Sequence, residues 1–201
     1  MTDSEFLAWA IEKIHTGSLT HKDAERLVKL TGRKRMTDYM GEAACSPLTV
    51  EYVESLCRLL EVLGVDSVLE VCARRSVLAR MMQNRSSGVK WVATDSDPQD
   101  PGVLKQEWDE TVPFSQHCAV YSSWPYLGKR NKPCFTDLAA WKFLGMRLPL
   151  ILLVPQTEEF LGSWLGKAEP ATSLVEGFID PPQWQENKKY GWDTAATVVV
   201  R

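Results

Sequence analysis

The sequence predicts an α/β fold: a doubly wound, mostly parallel seven-stranded sheet with a C-terminal antiparallel strand pair, preceded by a helical extension. Three observations carry this expectation. Residues 66–95 read as strand, sharp turn, helix and strand. Val68, Leu69 and Val71 form a short apolar run, Val77, Leu78, Met81 and Met82 recur at helical spacing, and residues 89–93 give a second strand stopping at Asp95. Residues 148–154, LPLILLV, are apolar throughout, so both faces need cover and the strand belongs at the centre of a sheet. Residues 174–179 and 195–200 read as two closing strands joined by a loop alone, which makes them an antiparallel pair.

The remaining elements follow in chain order. Residues 5–15 carry Phe6, Leu7, Trp9, Ala10, Ile11 and Ile14 on one helical face, and residues 20–30 repeat the pattern with Ala24, Leu27, Val28 and Leu30. Gly17-Ser18 supplies the turn between them, and Thr20 with Asp23 supplies a cap. These helices form an extension over residues 1–45. They read as a stabilising layer on the main domain, in preference to a lid over a substrate. Gly32-Arg33-Lys34-Arg35 is a basic run at the end of the second helix, where the helix dipole and water favour cations; nucleic-acid phosphate is its alternative partner.

The main domain spans residues 46–201. Ser46-Pro47 reads as a helix start, with helix through Leu63, an apolar face of Val53, Leu56, Leu59, Leu60 and Leu63, and Gly64 as its end. After Asp95 comes the turn-rich loop 96–102, then a short strand at 103–106 and another at 117–121 that runs into Ser122-Ser123-Trp124-Pro125-Tyr126. Loop 128–133 carries Lys129, Arg130 and Lys132. Helices are expected at 135–146, anchored by Leu138, Trp141, Phe143 and Leu144, and at 158–165. Pro155 ends the central strand, and residues 180–192 form the last loop.

Composition excludes several classes. A formal net charge of -3 with 24% charged residues provides no overall basic field for nucleic acid, although local patches exist. The N-terminus mixes charges among its apolar residues, which fits neither a secretory signal nor a membrane span, so a cytoplasmic or nuclear location and no membrane partner are expected. Five cysteines without a C-x-x-C spacing argue against a disulfide framework and a structural zinc site. His117 and Cys118 are neighbours on a strand and point to opposite faces, so no metal site is assigned to them. The patterns G-x-x-x-x-G-K, G-x-G-x-x-G and G-x-S-x-G are all absent, which disfavours P-loop, hydride-transfer and nucleophile-elbow chemistry.

From Ser46 to Arg201, this order of elements resembles the class I S-adenosylmethionine-dependent methyltransferase fold. Three local matches accompany it: Glu70 within VLEV at the end of the first strand, Asp95 at the end of the second, and Ser123-Trp124-Pro125-Tyr126 after a later strand. The resemblance implies S-adenosylmethionine as cofactor, with Asp95 accepting hydrogen bonds from the ribose hydroxyls. It implies that Glu70 orients the first loop or reaches the methionine amino group, and it places Cys72 and Arg74 in the loop against the cofactor. The SWPY turn is similar to the family's polar-Pro-Pro-aromatic motif, with Trp124 in place of the first proline. That motif holds a nucleophilic nitrogen in line with the sulfonium, so positioning supplies most of the rate, and Tyr126 would stack a base or ring.

Each match has a plainer reading. Asp95 opens a turn with Ser96, Asp97 and Pro98, Glu70 is satisfied by loop amides, and SWPY is a packed turn. One departure stands out. The family places glycines after the first strand, so that backbone can approach the cofactor, but this chain reads Val71-Cys72-Ala73-Arg74-Arg75-Ser76. The two arginines either turn outward or pair with Glu70, Asp95 or a phosphate at the following helix. The implied function is methyl transfer to an amino group or base. The alternative is a catalytically inactive interaction or scaffold module with a protein partner, for which eight tryptophans offer anchors. Nucleic acid could accompany either, through Arg33 to Arg35, Arg74, Arg75 and Lys129 to Lys132.

Overall fold

Thr2 begins the first helix with a reciprocal cap: the Glu5 amide donates to Thr2 Oγ1 and the Thr2 amide donates to Glu5 Oε2. The structure, a computed structural model, describes residues 1–40, 48–73, 75, 77–85, 88–106, 118–123, 147–155, 168–182 and 195–200. Helix α1 (Asp3–Thr16) buries Phe6, Ala10 and Ile14, which share one face at helical spacing. It ends at Gly17 in the left-handed conformation. Thr20 and Asp23 then cap α2 (His21–Met40), joined side chain to side chain at 2.5 Å. Phe6, Ala10, Ile14, Leu19, Ala24, Leu27 and Val28 form a small core shared by α1 and α2.

Helix α2 is longer than its apolar pattern suggests, and its backbone continues through Gly32-Arg33-Lys34-Arg35 to Met40. One interior glycine costs about 1 kcal/mol, and the Arg, Lys and Met around it are good helix formers. The basic run therefore lies inside the helix. Helix α3 (Val50–Val62) starts later than Ser46-Pro47 predicts, because Thr49 is the cap: its side chain accepts from the Tyr52 amide.

The sheet has seven strands in the order β3-β2-β1-β4-β5-β7-β6. They are β1 (Ser67–Val71), β2 (Lys90–Asp95), β3 (Leu104–Lys105), β4 (Cys118–Ser123), β5 (Leu150–Pro155), β6 (Ala168–Pro170) and β7 (Ala195–Val200). The pairs among β1 to β5 are parallel, and β7 runs antiparallel to both β5 and β6. Leu150, Ile151, Leu152 and Leu153 are fully buried, as an all-apolar central strand requires. The closing antiparallel pair exists, but its first member is β6, not residues 174–179. There the chain forms a short helix, α5 (Ala171–Leu174), and then a turn with Gly177 at a φ of 66°. Val175 and Phe178 both reach the core at a spacing of three, which a strand's alternation cannot provide.

Helix α4 (Val77–Asn84) follows β1 and buries Leu78, Ala79, Met81 and Met82. Together α3, α4 and α5 cover one sheet face in a core that includes Tyr52, Val68, Trp91, Ala93, Ala119, Tyr121, Ile151 and Val199. The other face gathers Leu69, Val71, Cys118, Val120, Leu150, Leu152, Val198 and Val200. The N-terminal helices dock on the helical layer. The Val50 amide donates to the Leu19 carbonyl at 3.0 Å, the His21 amide donates to Glu51 Oε2 at 2.8 Å, and Gly17 lies against Met81. No described helix is long and apolar enough to cross a membrane. The expected helices at 135–146 and 158–165 lie outside the described residues.

Candidate functional site at the strand ends

The strand order reverses between β1 and β4, one leading outward to β2 and β3 and the other to β5. In open α/β sheets this is where ligands bind, past the carboxyl ends of the strands. Three of the segments picked out by sequence meet there: the turn after β1, Asp95 ending β2 and Ser123 ending β4. Trp124, Pro125, Tyr126, Arg74, Ser76, Lys129, Arg130 and Lys132 lie outside the described residues, as do the side chains of Arg33, Lys34 and Arg35.

Cys72, the first residue past β1, has a φ of 58°, a conformation that favours glycine. The next residue returns to the sheet, its amide donating to the Thr94 carbonyl at 3.0 Å. The glycine-type turn thus persists in backbone geometry where the sequence has no glycine. The Cys72 side chain is exposed, and Arg75 is half-buried. Asp95 is half-buried and accepts the Asp97 amide on Oδ1 at 2.8 Å, which realises its turn-forming reading.

Glu70 points down from the strand end onto the helix-covered face, where it is 4% exposed. It shares a register position with Ala93 and Tyr121. The Trp91 indole Nε1 donates to Glu70 Oε2 at 2.7 Å, so an aromatic donor from β2 occupies the place given by sequence to loop amides or a ligand amine. Burial raises the carboxyl to about 7, and the indole bond opposes that only in part.

Sequence reasoning missed the polar line beside Glu70. Ser123 Oγ donates to Tyr121 Oη at 2.9 Å, and Tyr121 Oη lies 3.0 Å from Tyr52 Oη on α3. The Thr197 hydroxyl on β7 lies 3.4 Å from Tyr52 Oη. The Thr197 amide donates to Asp180 Oδ1 at 2.8 Å, and its side chain also hydrogen bonds to that carboxylate. Tyr52 and Tyr121 are fully buried, and desolvation pushes both phenols above their usual range. Burial likewise raises Asp180, against the two bonds from Thr197. One signal was available: Tyr121 and Ser123 are two apart on a strand and so share a face. Tyr52, within an apolar helix stripe, and Asp180, in a proline-rich loop, gave none.

Two other polar features lie outside this line. A cavity of about 290 Å³ between the end of α1 and α4 is lined by His15, Thr16, Gly17, Val77, Arg80, Met81 and Asn84. Ser122 Oγ, on the opposite sheet face from Tyr121, is buried without a hydrogen-bond partner among the described residues. No group of three or more His, Cys, Asp or Glu among the described residues could hold a metal ion. No protein-family model matches the chain, and no curated protein matches it.

Proposed function

We propose that the chain is an S-adenosylmethionine-dependent methyltransferase-like protein acting on an amino group or base, with its donor site at the ends of β1 and β2 and its acceptor site at the end of β4. The observation that carries this reading is the left-handed Cys72 at the sheet's switch point. A turn without glycine that still holds a glycine conformation brings backbone to the place where a cofactor would pass. The reversed β7 and the acid ending β2 agree with the resemblance. In this reading the Cys72 turn and Arg74 border the donor, Asp95 meets its ribose, and Ser123, Trp124, Pro125 and Tyr126 hold the acceptor. S-adenosylmethionine supplies the activated methyl group, and the chain's own residues supply alignment.

The test is isothermal titration with S-adenosylhomocysteine, accompanied by a thermal shift. The expected result is saturable heat and a raised melting temperature, both reduced by Asp95→Ala. Absence of heat and of a shift would sink donor binding. The second reading is a catalytically inactive interaction module, and one pair of observations favours it: Glu70 is taken up by Trp91 and Asp95 Oδ1 by its own turn. That reading expects no donor heat and a stable complex with a protein partner.

A further inference from the structure

Helix α4 turns one flank toward the N-terminal hairpin. Val77, Arg80, Met81 and Asn84 stand three, four and seven residues along from the first, so they share one stripe of the helix. Opposite them the last turn of α1 ends in His15, Thr16 and Gly17, and between the two elements lies the cavity of about 290 Å³. The buried Met81 and half-buried Val77 give it an apolar wall, whereas His15, Thr16, Arg80 and Asn84 are exposed and give it a polar one. The His15 ring and the Asn84 carboxamide have no hydrogen-bond partner among the described residues. Cys72, Asp95 and Ser123 do not line this cavity, so it is distinct from the site at the strand ends.

The charges around the cavity favour a neutral occupant. Arg80 Nη1 donates to Asp100 Oδ2 at 2.6 Å, and Asp100 Oδ1 accepts the Gly102 amide at 2.9 Å, so a fixed carboxylate offsets the guanidinium and leaves its other N–H groups as donors. The end of α1 presents the negative pole of that helix, which disfavours an anion. Lys13, the other cation of the last turn of α1 besides His15, lies over the Trp9 ring at 5.8 Å. Thr16 Oγ1 gives its proton to the carbonyls of Glu12 and Lys13 and so can only accept, whereas the Asn84 carboxamide and a neutral His15 ring can each donate and accept. The occupant that fits is uncharged and flat, with a donor beside an acceptor on its edge. A carboxamide pairs in this way with the amino group and N7 of adenine, a thioether packs well against a ring, and a guanidinium stacks on one. The volume is near the lower bound of ligand cavities, about 300 Å³, which suits one base with at most its sugar. We propose that the cavity between α1 and α4 binds an adenine-type base or nucleoside, with Val77 and Met81 against the ring and Asn84 on its amino edge. This site does not rest on the methyl-transfer reading.

The experiment follows the Met81 methyl group by NMR in the full chain with isotope-labelled methionine, because a ring seated against that methyl displaces its resonance. Adenosine is the probe, and its expected effect is a saturable displacement of the Met81 signal. Inosine, which lacks the amino group, is expected to bind about tenfold more weakly, since one side of the Asn84 carboxamide is then left unpaired. Asn84→Leu is expected to weaken adenosine by a similar factor. Residue 84 is exposed, so this variant keeps the fold, and an unchanged methionine spectrum without adenosine checks it. His15→Ala, at a second exposed position, is expected to weaken adenosine without removing the preference over inosine. Asp95→Ala separates this site from the methyl donor's, because the displacement persists in that variant if adenosine lies between α1 and α4. A Met81 signal that adenosine leaves in place, or that moves as readily in Asn84→Leu, overturns the proposal. So does a displacement lost in Asp95→Ala, which puts adenosine at the end of β2. Displacement by inorganic phosphate and not by adenosine makes the cavity an anion site and overturns it too.

Discussion

Cys72 holds a backbone conformation that costs an L-residue roughly 1–2 kcal/mol, in the turn between β1 and α4. Strain of that kind persists only where the surroundings over-determine it, and here the Ala73 amide is fixed to the Thr94 carbonyl immediately afterwards. Cys72→Gly is expected to stabilise the protein by about 0.5–1 kcal/mol, the relief being offset in part by the greater freedom of glycine in the unfolded chain. Cys72→Ala keeps the Cβ and is expected to gain nothing. Urea midpoints for the two variants measure the difference, and equal midpoints would show that the turn is unstrained. At this scale the sequence was half legible. The types and places of Glu70, Asp95 and Ser123 were readable, but their side-chain directions depend on neighbours that no local pattern names, Trp91 for Glu70 and Tyr121 for Ser123.

Between elements, the α1–α2 hairpin meets α4 closely at Gly17. Gly17 sits at a φ of 66°, and a Cβ built on it would lie 2.5 Å from Met81 Cγ, where Met81 is 3% exposed. Gly17→Ala therefore meets both a conformational penalty and a clash with a well-packed side chain, and is expected to cost about 2–4 kcal/mol. Met81→Ala alone leaves a cavity and costs a similar amount. The double variant is expected to lose at least about 1 kcal/mol less than the sum, because the small side chain at 81 makes room for the methyl at 17. Additive losses measured by denaturant unfolding would mean that the hairpin does not bear on α4. The elements themselves were legible where periodicity was strong, as in α1, α4, β1, β5 and β7. Boundaries failed where a cap or turn outweighed a suggestive dipeptide: Thr49 overrode Ser46-Pro47, and Gly177 turned a presumed strand into a bend. Gly32 is the opposite case, a stop signal overridden by its helix-forming neighbours.

For the molecule as a whole, the all-apolar β5 and the closing strand β7 were visible in the chain, but the partner of β7 is β6, which α5 follows, and not a strand joined to it by a loop alone. What the sequence hid is a set of buried polar groups within the otherwise apolar helix-covered face, because the partners lie on separate elements. Those groups have a global consequence in pH. Glu70 rises from an ordinary 4.5 to about 7 in the fold because burial disfavours its charge. Between those values the folded chain holds a proton that the unfolded chain has released, so stability is highest below the unfolded value and declines as pH rises through the folded one. The decline from this one group is on the order of 3 kcal/mol. Asp180, raised for the same reason, adds a loss of the same sign that begins at lower pH. Glu70→Gln keeps an oxygen for the Trp91 indole and removes the titration, although its amide N–H groups need acceptors at every pH. The diagnostic quantity is thus the slope of stability against pH, not its level. Urea unfolding at pH 5 and pH 8 is expected to show the wild-type protein losing most of that difference and the Glu70→Gln protein losing little. An equal slope in both would place the ionised form of Glu70 in the folded state at neutral pH and remove the buried neutral acid from the description of this sheet.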